Sequence, residues 1–398
     1  MFNSVAVFGL GRYQQNGINE LKNKGFHIIG FDEKKNPYSI NTVDKLYKIP
    51  FSNIRKIQNI CTKNNVKHLF AFNTDAPLKL ISILNKRLKL YGYKEKNIEL
   101  ISDKIKLRKF LKLKMNLHSP KYFHFNNFNE IQKKIKVLNF PIVSKPNVGS
   151  GSRGVFLAND YEDLSKLFKV NKKFYKTNKI LLEQFINNEE YAVEGWAYKK
   201  KFVFGCLSKK TRSKPPYLLD TDLIINYQNI KIKEKFTNFL NIFLKKSNIN
   251  NVPIHFEFFE YNKKIIPIDI SLRGAGFGVY SSILSKIMNQ STDDILINLL
   301  MNKKISFNNP NQIIFYLNFF YSKREGIFVG IKNQKKLLNL DSFLEFELYK
   351  KINSKVFFLK NGTNRLGHCL LGANKKIIYK DIKFVKSFVK TKVSNERI

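Results

Sequence analysis

From residue 4 onward, short apolar runs alternate with stretches of helical periodicity. "SVAVFGLG" (4–11) and "FHIIGFDE" (26–33) carry near-continuous apolar residues, as strands covered on both faces do. "INELKNKG" and "IRKIQNICTKNN" space their apolar residues for one helical face, and "VKHLFAF" returns to strand. This rhythm predicts a parallel sheet flanked by helices over residues 1–103. Gly9 and Gly11, with Asp32 near the end of the second strand, imitate a dinucleotide fingerprint, but Gln14 stands where its third glycine belongs. A tight turn in a Rossmann-like domain and a nicotinamide or flavin site both remain open on this pattern.

From about residue 104 the pattern changes. "DKIKLRKFLKLK" predicts a helix capped by Ser102 or Asp103, and "NDYEDLSKLF" one with an Asp160–Asp163 capping box. "FPIVSKP" and "GVFLA" predict strands on either side of a glycine–serine turn, with "KILLEQFI" a further strand. "EYAVEGWAYKKKFVFGCLS" predicts a hairpin with its tip near Tyr198 to Lys201, and "PIHFEFFEYNKKIIPIDISLR" two antiparallel strands joined at Asn262. Residues 306–398, with "GIFVGI" and "NRLGHCLLGANKKI", predict a small, mostly β closing domain. The expected fold class is thus mixed α/β and α+β.

Composition removes several functions. An apolar fraction of 43% is that of a chain with real cores, so disorder is excluded as the default. The net charge of +41 invites a nucleic-acid or membrane partner. However, the bases are ten arginines and 61 lysines, scattered in pairs such as Lys34-Lys35 and Lys172-Lys173 beside abundant Asn, Ile and Phe. That mixture reads as AT-rich coding, and neither partner is expected. Cys61, Cys206 and Cys369 lie too far apart for a metal spacing or a disulfide framework, which fits a reducing, cytoplasmic setting. No signal peptide or apolar run of membrane-spanning length is expected; "IIFYLNFFY" is broken by Asn318.

The chemistry concentrates in "FPIVSKPNVGSGSRGVFLAND" (140–160). Lys145 precedes Gly149, Ser150, Gly151, Ser152, Arg153 and Gly154, and a strand leaves the turn at once. A Walker loop has its lysine after the glycines and opens a helix, so this is not one. A hairpin tip whose bare backbone covers a phosphate chain fits better, against an ordinary glycine-rich hairpin. Downstream, Glu183 ends an apolar strand and Glu190 follows seven residues later. Glu257 and Asp269 sit among apolar residues on paired strands, four residues before Arg273 in the case of Asp269. Buried carboxylates need a cation or a metal. Two of them with an arginine suit magnesium and phosphate.

In this order, Lys104 to Arg273 resembles the ATP-grasp fold of the carboxylate–amine ligase superfamily, and the flanking segments resemble that family's other domains. The resemblance implies a Rossmann-like N-terminal domain (1–103), a two-lobed ATP-grasp domain (104–305) and a C-terminal closing domain (306–398). The glycine-loop lobe would cover about 118–185 and the metal lobe about 186–305. It implies that Lys104 and Lys145 contact nucleotide phosphates beneath residues 149–154. Glu183 with the backbone of Gln184, Phe185 and Ile186 would hold adenine, and Glu190 the ribose. Glu257, Asp269 and Ser271 would stand at Mg2+ or Mn2+, and Arg273, with Lys145, would carry catalysis. Here Asp269 replaces the usual Glu and Ser271 the usual Asn. The implied reaction joins a small carboxylate, such as an amino acid, to an amine through an acylphosphate. An aminosugar acceptor and a non-catalytic nucleotide-binding protein are the alternatives. Homodimers are common in the family. For the substrates, Lys209, Arg212 and Asp220 in "SKKTRSKPPYLLDTD" are the candidates: a clamp for a carboxylate and a partner for an ammonium. His255 and His368 read as structural.

Overall fold

The computed structural model describes residues 3–118, 120–134, 136, 138–175 and 179–394. Strands β1 (Ser4–Phe8), β2 (His27–Asp32), β3 (Lys45–Lys48) and β4 (His68–Phe70) form the expected parallel sheet, in the order β3-β2-β1-β4. The helix Gln15–Asn23 lies tight on it, because a Cβ at Gly17 would come within 2.2 Å of the Phe72 ring. Asp32 does not present a free acid to a ribose. Its carboxylate accepts the Leu10 and Lys34 N–H groups, each at 2.8 Å, and so braces the loop after β1. Gln14, in place of the third glycine, donates to the Phe72 carbonyl at 2.9 Å. The dinucleotide reading loses both of its supports.

The helix Lys104–Met115 is capped by Asp103, whose carboxylate accepts the Ile105 and Lys106 N–H groups. Beyond it, β5 (Tyr122–Phe125), β6 (Ile142–Pro146), β7 (Phe156–Ala158) and β8 (Ile180–Gln184) make an antiparallel sheet ordered β5-β8-β6-β7. This sheet is the glycine-loop lobe. The helix Tyr161–Asn171 starts at Asp160 as expected, but Asp163 reaches back to the Asn159 N–H instead of closing the box.

The remainder comprises β9 (Glu190–Tyr198), β10 (Lys201–Arg212), β11 (Asp220–Ile225), β12 (Val252–Tyr261), β13 (Lys264–Ser271), β14 (Ile314–Phe320), β15 (Gly326–Lys332), β16 (Phe343–Leu348), β17 (Lys355–Val356), β18 (Gly367–Ala373) and β19 (Lys390–Ser394). Eight of them form one sheet, β13-β12-β9-β10-β11-β14-β18-β16; β17, β15 and β19 form a small second one. Both predicted hairpins turn on two left-handed residues, Lys199-Lys200 and Asn262-Lys263, the twist that suits two-residue loops.

The C-terminal segment is mostly β, as expected, with strands β14 to β19. Its first strand continues the large sheet, because β14 pairs with β11, setting Asn318 opposite Asp222. It also carries a helix, Lys375–Phe388, which Asn374 caps and which buries Ile378, Ile382 and Val385 at helical spacing. One apolar core joins the parallel sheet to the side of the large sheet that carries Phe256 and Phe258. Among the described residues no helix is long and apolar enough to cross a membrane.

Candidate active site

A cavity of about 490 Å³ is lined by both the glycine-loop lobe and the eight-stranded sheet. Strand parity supplies its floor. Residues two apart on one strand share a face, so β12 contributes His255, Glu257 and Phe259, while β13 contributes Asp269 and Ser271 and leads to Arg273. Glu257 and Asp269 face each other in register. Lys210 and Arg212 come from β10 and Glu190 from the start of β9.

The glycine turn closes the β6–β7 hairpin. Gly149, Ser150, Gly151, Ser152 and Arg153 line the cavity. Gly151 (φ +66°) and Ser152 (φ +54°) are left-handed, and no atom lies within 4 Å of where a Gly151 Cβ would stand. Gly154, expected with them, does something else. Its carbonyl accepts the Tyr175 hydroxyl at 2.7 Å, and a Cβ there would meet Phe174 at 2.8 Å, so it anchors the loop away from the cavity.

Each charged residue expected at the nucleotide is held by an ion pair. Lys104 donates to the Gly149 carbonyl at 3.1 Å and lies 3.2 Å from Asp269. Glu183 binds two buried cations, Lys145 and Arg108. Burial raises a carboxyl pKa, but these cations outweigh it and hold Glu183 at about 2. For Lys145 burial wins and its pKa falls, since two cations share one carboxylate. Glu183 thus lines the cavity while paired with Lys145 and Arg108. The Gln184 and Phe185 N–H groups are also spent, on the Lys121 and Pro141 carbonyls.

Four residues that sequence reading missed organise the rest. Lys210 is buried, with its Nζ 2.6 Å from Glu190, 3.1 Å from Asp220 and 2.6 Å from Glu257. Burial opposes its charge, but three carboxylates raise its pKa well above the usual lysine value. Asp75, from beyond β4, accepts Arg273 Nη2 at 2.8 Å and Nε at 3.0 Å. His255 bridges Glu194 and Glu257, which overcome its burial and lift its pKa to about 10. Glu194 also accepts the Ala275 N–H at 3.0 Å, fixing the turn after Arg273. His255, expected to be structural, holds these two carboxylates and also lines the cavity. His368 accepts or donates with the Tyr349 hydroxyl at 2.8 Å, outside the cavity lining.

Of the three substrate candidates, Asp220 and Arg212 line the cavity and Lys209 does not. Lys209 lies on the other face of β10 from Lys210, paired with Glu189. Arg212 lies 3.4 Å from Glu190 and stacks on Phe259, which leaves it beside the expected ribose ligand.

A family model for the ATP-grasp domain matches residues 138–281. Over 161 residues the chain is 27% identical to the bifunctional purine biosynthetic protein purD of Dictyostelium discoideum, a match covering 38% of this chain and 20% of that one. The chain spans less than half the length of such curated relatives. Among solved structures it is similar to the L-amino acid ligase from Bacillus licheniformis, at 15% identity with a TM-score of 0.84 over 99% of each chain. It is also similar to phosphoribosylglycinamide synthetase from Anaerococcus prevotii, at 15% identity with a TM-score of 0.71 over 98% of this chain and 100% of that one. The segment that matches the ATP-grasp domain contains the glycine loop, both paired carboxylates and Arg273, and the two solved structures share their fold with this chain along nearly its whole length.

Proposed function

We propose that the chain is an ATP-dependent, ADP-forming ligase that joins a small carboxylate to an amine. The observation that carries this reading is the facing pair Glu257–Asp269 with Arg273, set in one cavity beneath Lys104, Lys145 and the glycine loop. The donor set fits a hard divalent cation: both carboxylates offer oxygen, and the ammonium groups of Lys210 and Lys104, which pair with them in this structure, show that the pair draws positive charge. Mg2+ or Mn2+, when held by Glu257 and Asp269 with Ser271 beside them, supplies charge neutralisation on the phosphate oxygens.

The residues of the chain do the rest by position and charge. Lys104 and Lys145 bind the phosphates, and the loop 149–153 covers them and excludes water. The bond from the γ-phosphorus to the ADP oxygen breaks as a substrate carboxylate oxygen takes the phosphoryl group. Arg273, steadied by Asp75, faces the charge that develops. The amine nitrogen then attacks the acyl carbon; the C–N bond forms, the C–O bond to phosphate breaks, and the amine proton leaves with phosphate or solvent. No protein nucleophile is used, and the three cysteines are buried in the structure.

The test is magnesium-dependent ADP release by the purified protein over a panel of carboxylates with and without amines, beside Lys145→Ala and Glu257→Gln. Release that needs one carboxylate–amine pair and is lost in both variants supports the reading. ATP binding without release for any pair counts against it.

A further inference from the structure

Two arginines of the cavity, Arg153 and Arg365, have no carboxylate among the described residues within 4.0 Å, and of these Arg153 is exposed on the glycine loop while Arg365 is buried. Lys104, Arg108, Lys145, Lys210, Arg212 and Arg273 each have a carboxylate oxygen within 4.0 Å. Arg365 also lines the cavity and is 6% exposed, yet among the described residues no carboxylate lies within that distance. Its Nη2 donates to the Asp220 carbonyl at 2.7 Å, and its Nε is buried with no hydrogen-bond partner. Its plane stacks on Phe319, 3.7 Å from the ring centroid, with Phe277 at 4.7 Å. A buried guanidinium without an anion is costly unless a ligand supplies one.

Two features narrow the ligand. Two aromatic rings, Phe277 and Phe319, flank the Arg365 guanidinium, and Leu317 and Leu223 line the same cavity. A phosphate would call on several convergent donors, and here one guanidinium without an anion stands between two aromatic rings; a single carboxylate beside an apolar side chain matches it. The position also separates this anion from the one that is activated. Arg365 bonds the Asp220 backbone, and Asp220 meets Lys210, whose Nζ reaches Glu257 at the metal carboxylates. Arg365 therefore stands next to the reacting centre, not at it.

Building on the ligase reading, we propose that Arg365 holds the free carboxylate of an apolar α-amino acid, which serves as the amine acceptor. The acceptor's nitrogen is then directed toward the acylphosphate, while its side chain packs on Phe277 and Phe319. The product keeps one free carboxylate.

The test uses the full chain loaded with a non-hydrolysable ATP analogue and Mg2+. Calorimetry would compare leucine and phenylalanine with phenylalaninamide, phenethylamine and ribose 5-phosphate, for wild type, Arg365→Met and Arg365→Lys. The expected result is that the amino acids bind at least 30-fold more tightly than the amide or the amine. That preference disappears in Arg365→Met and partly returns in Arg365→Lys, while analogue binding is unchanged in both. Equal binding of amino acid and amide, preference for ribose 5-phosphate, persistence of the preference in Arg365→Met, or binding of none of the probes would overturn it. ADP release measured in parallel judges the ligase reading by itself: binding with the stated preference but no release would sink that reading and leave Arg365 as the carboxylate site.

Discussion

Replacing Glu183 by glutamine removes the carboxylate that Arg108 and Lys145 share, and leaves two buried cations facing a neutral amide. The carboxyl pKa falls from 4.5 to about 2 on folding. A depression of that size is worth about 3 kcal/mol, in line with the ~3–5 kcal/mol for breaking a buried pair. Because the folded value lies below the unfolded one, this stabilisation is complete above about pH 4.5 and is lost as pH falls through about 2. Glu183 ties β8 to β6, so the effect belongs to the glycine-loop lobe, and hydrogen exchange in peptides from β6 and β8 reports it directly. At pH 7 and pH 5 the variant should exchange there roughly 100-fold faster than wild type, and the ratio should shrink below pH 4. Substituting all three members by methionine should restore most of the protection, since apolar side chains of similar volume often match a buried ion cluster. That triple variant should also lose ATP binding, because Lys145 is gone. Exchange within threefold of wild type for Glu183→Gln, or a triple variant as labile as the single one, would refute the argument.

Lys210→Met leaves Glu190, Asp220 and Glu257 without their shared cation. Its Tm at pH 7 should fall, and should recover with millimolar Mg2+ by a larger increment than wild type gains; equal responses to Mg2+ would count against the cluster. Asp75→Asn frees the Arg273 guanidinium from its anchor, and kcat should drop about 10- to 100-fold with ATP affinity nearly unchanged. His255 runs opposite in pH to Glu183. Its raised pKa, about 10, contributes stability that is complete below about 6.5 and lost as pH rises through 10. The Tm difference between wild type and His255→Gln should therefore be largest near pH 6.5 and small at pH 10. Gly17→Ala forces a Cβ into the Phe72 ring and should cost about 2–3 kcal/mol, read by denaturation, without altering nucleotide binding.

Local patterning revealed what depends on neighbours along the chain. The βαβ rhythm, the two hairpin tips, the Asp103 and Asp160 caps and the Glu257–Asp269 pairing all follow from periodicity and turn chemistry. What stayed hidden lies across distance. Asp75 meets Arg273 from 198 positions away, and Arg108 meets Glu183 from 75. Lys210 and Lys209 differ only in which face of β10 they occupy, which a run of polar residues does not disclose. The extension of the sheet through β14 was equally out of reach, because antiparallel partners 90 residues apart leave no local trace. The helix Lys375–Phe388 did have a signal, Ile378, Ile382 and Val385 at helical spacing, which lies beyond the "NKKI" at which the strand reading stopped.

The pairing of β11 with β14 also sets a limit on trimming the molecule. Residues 138–281 suffice for the family match, yet a fragment ending near 305 would lack β14 and bare the whole hydrogen-bonding rim of β11. That rim reads Asp-Thr-Asp-Leu-Ile-Ile, and its last three residues carry no charge to repel a second copy. Open edges of that kind recruit strands from other molecules. A shortened protein should therefore precipitate or form intermolecular sheet instead of yielding a minimal enzyme, which makes the last quarter of the chain a guard against self-association as well as a wall of the cavity.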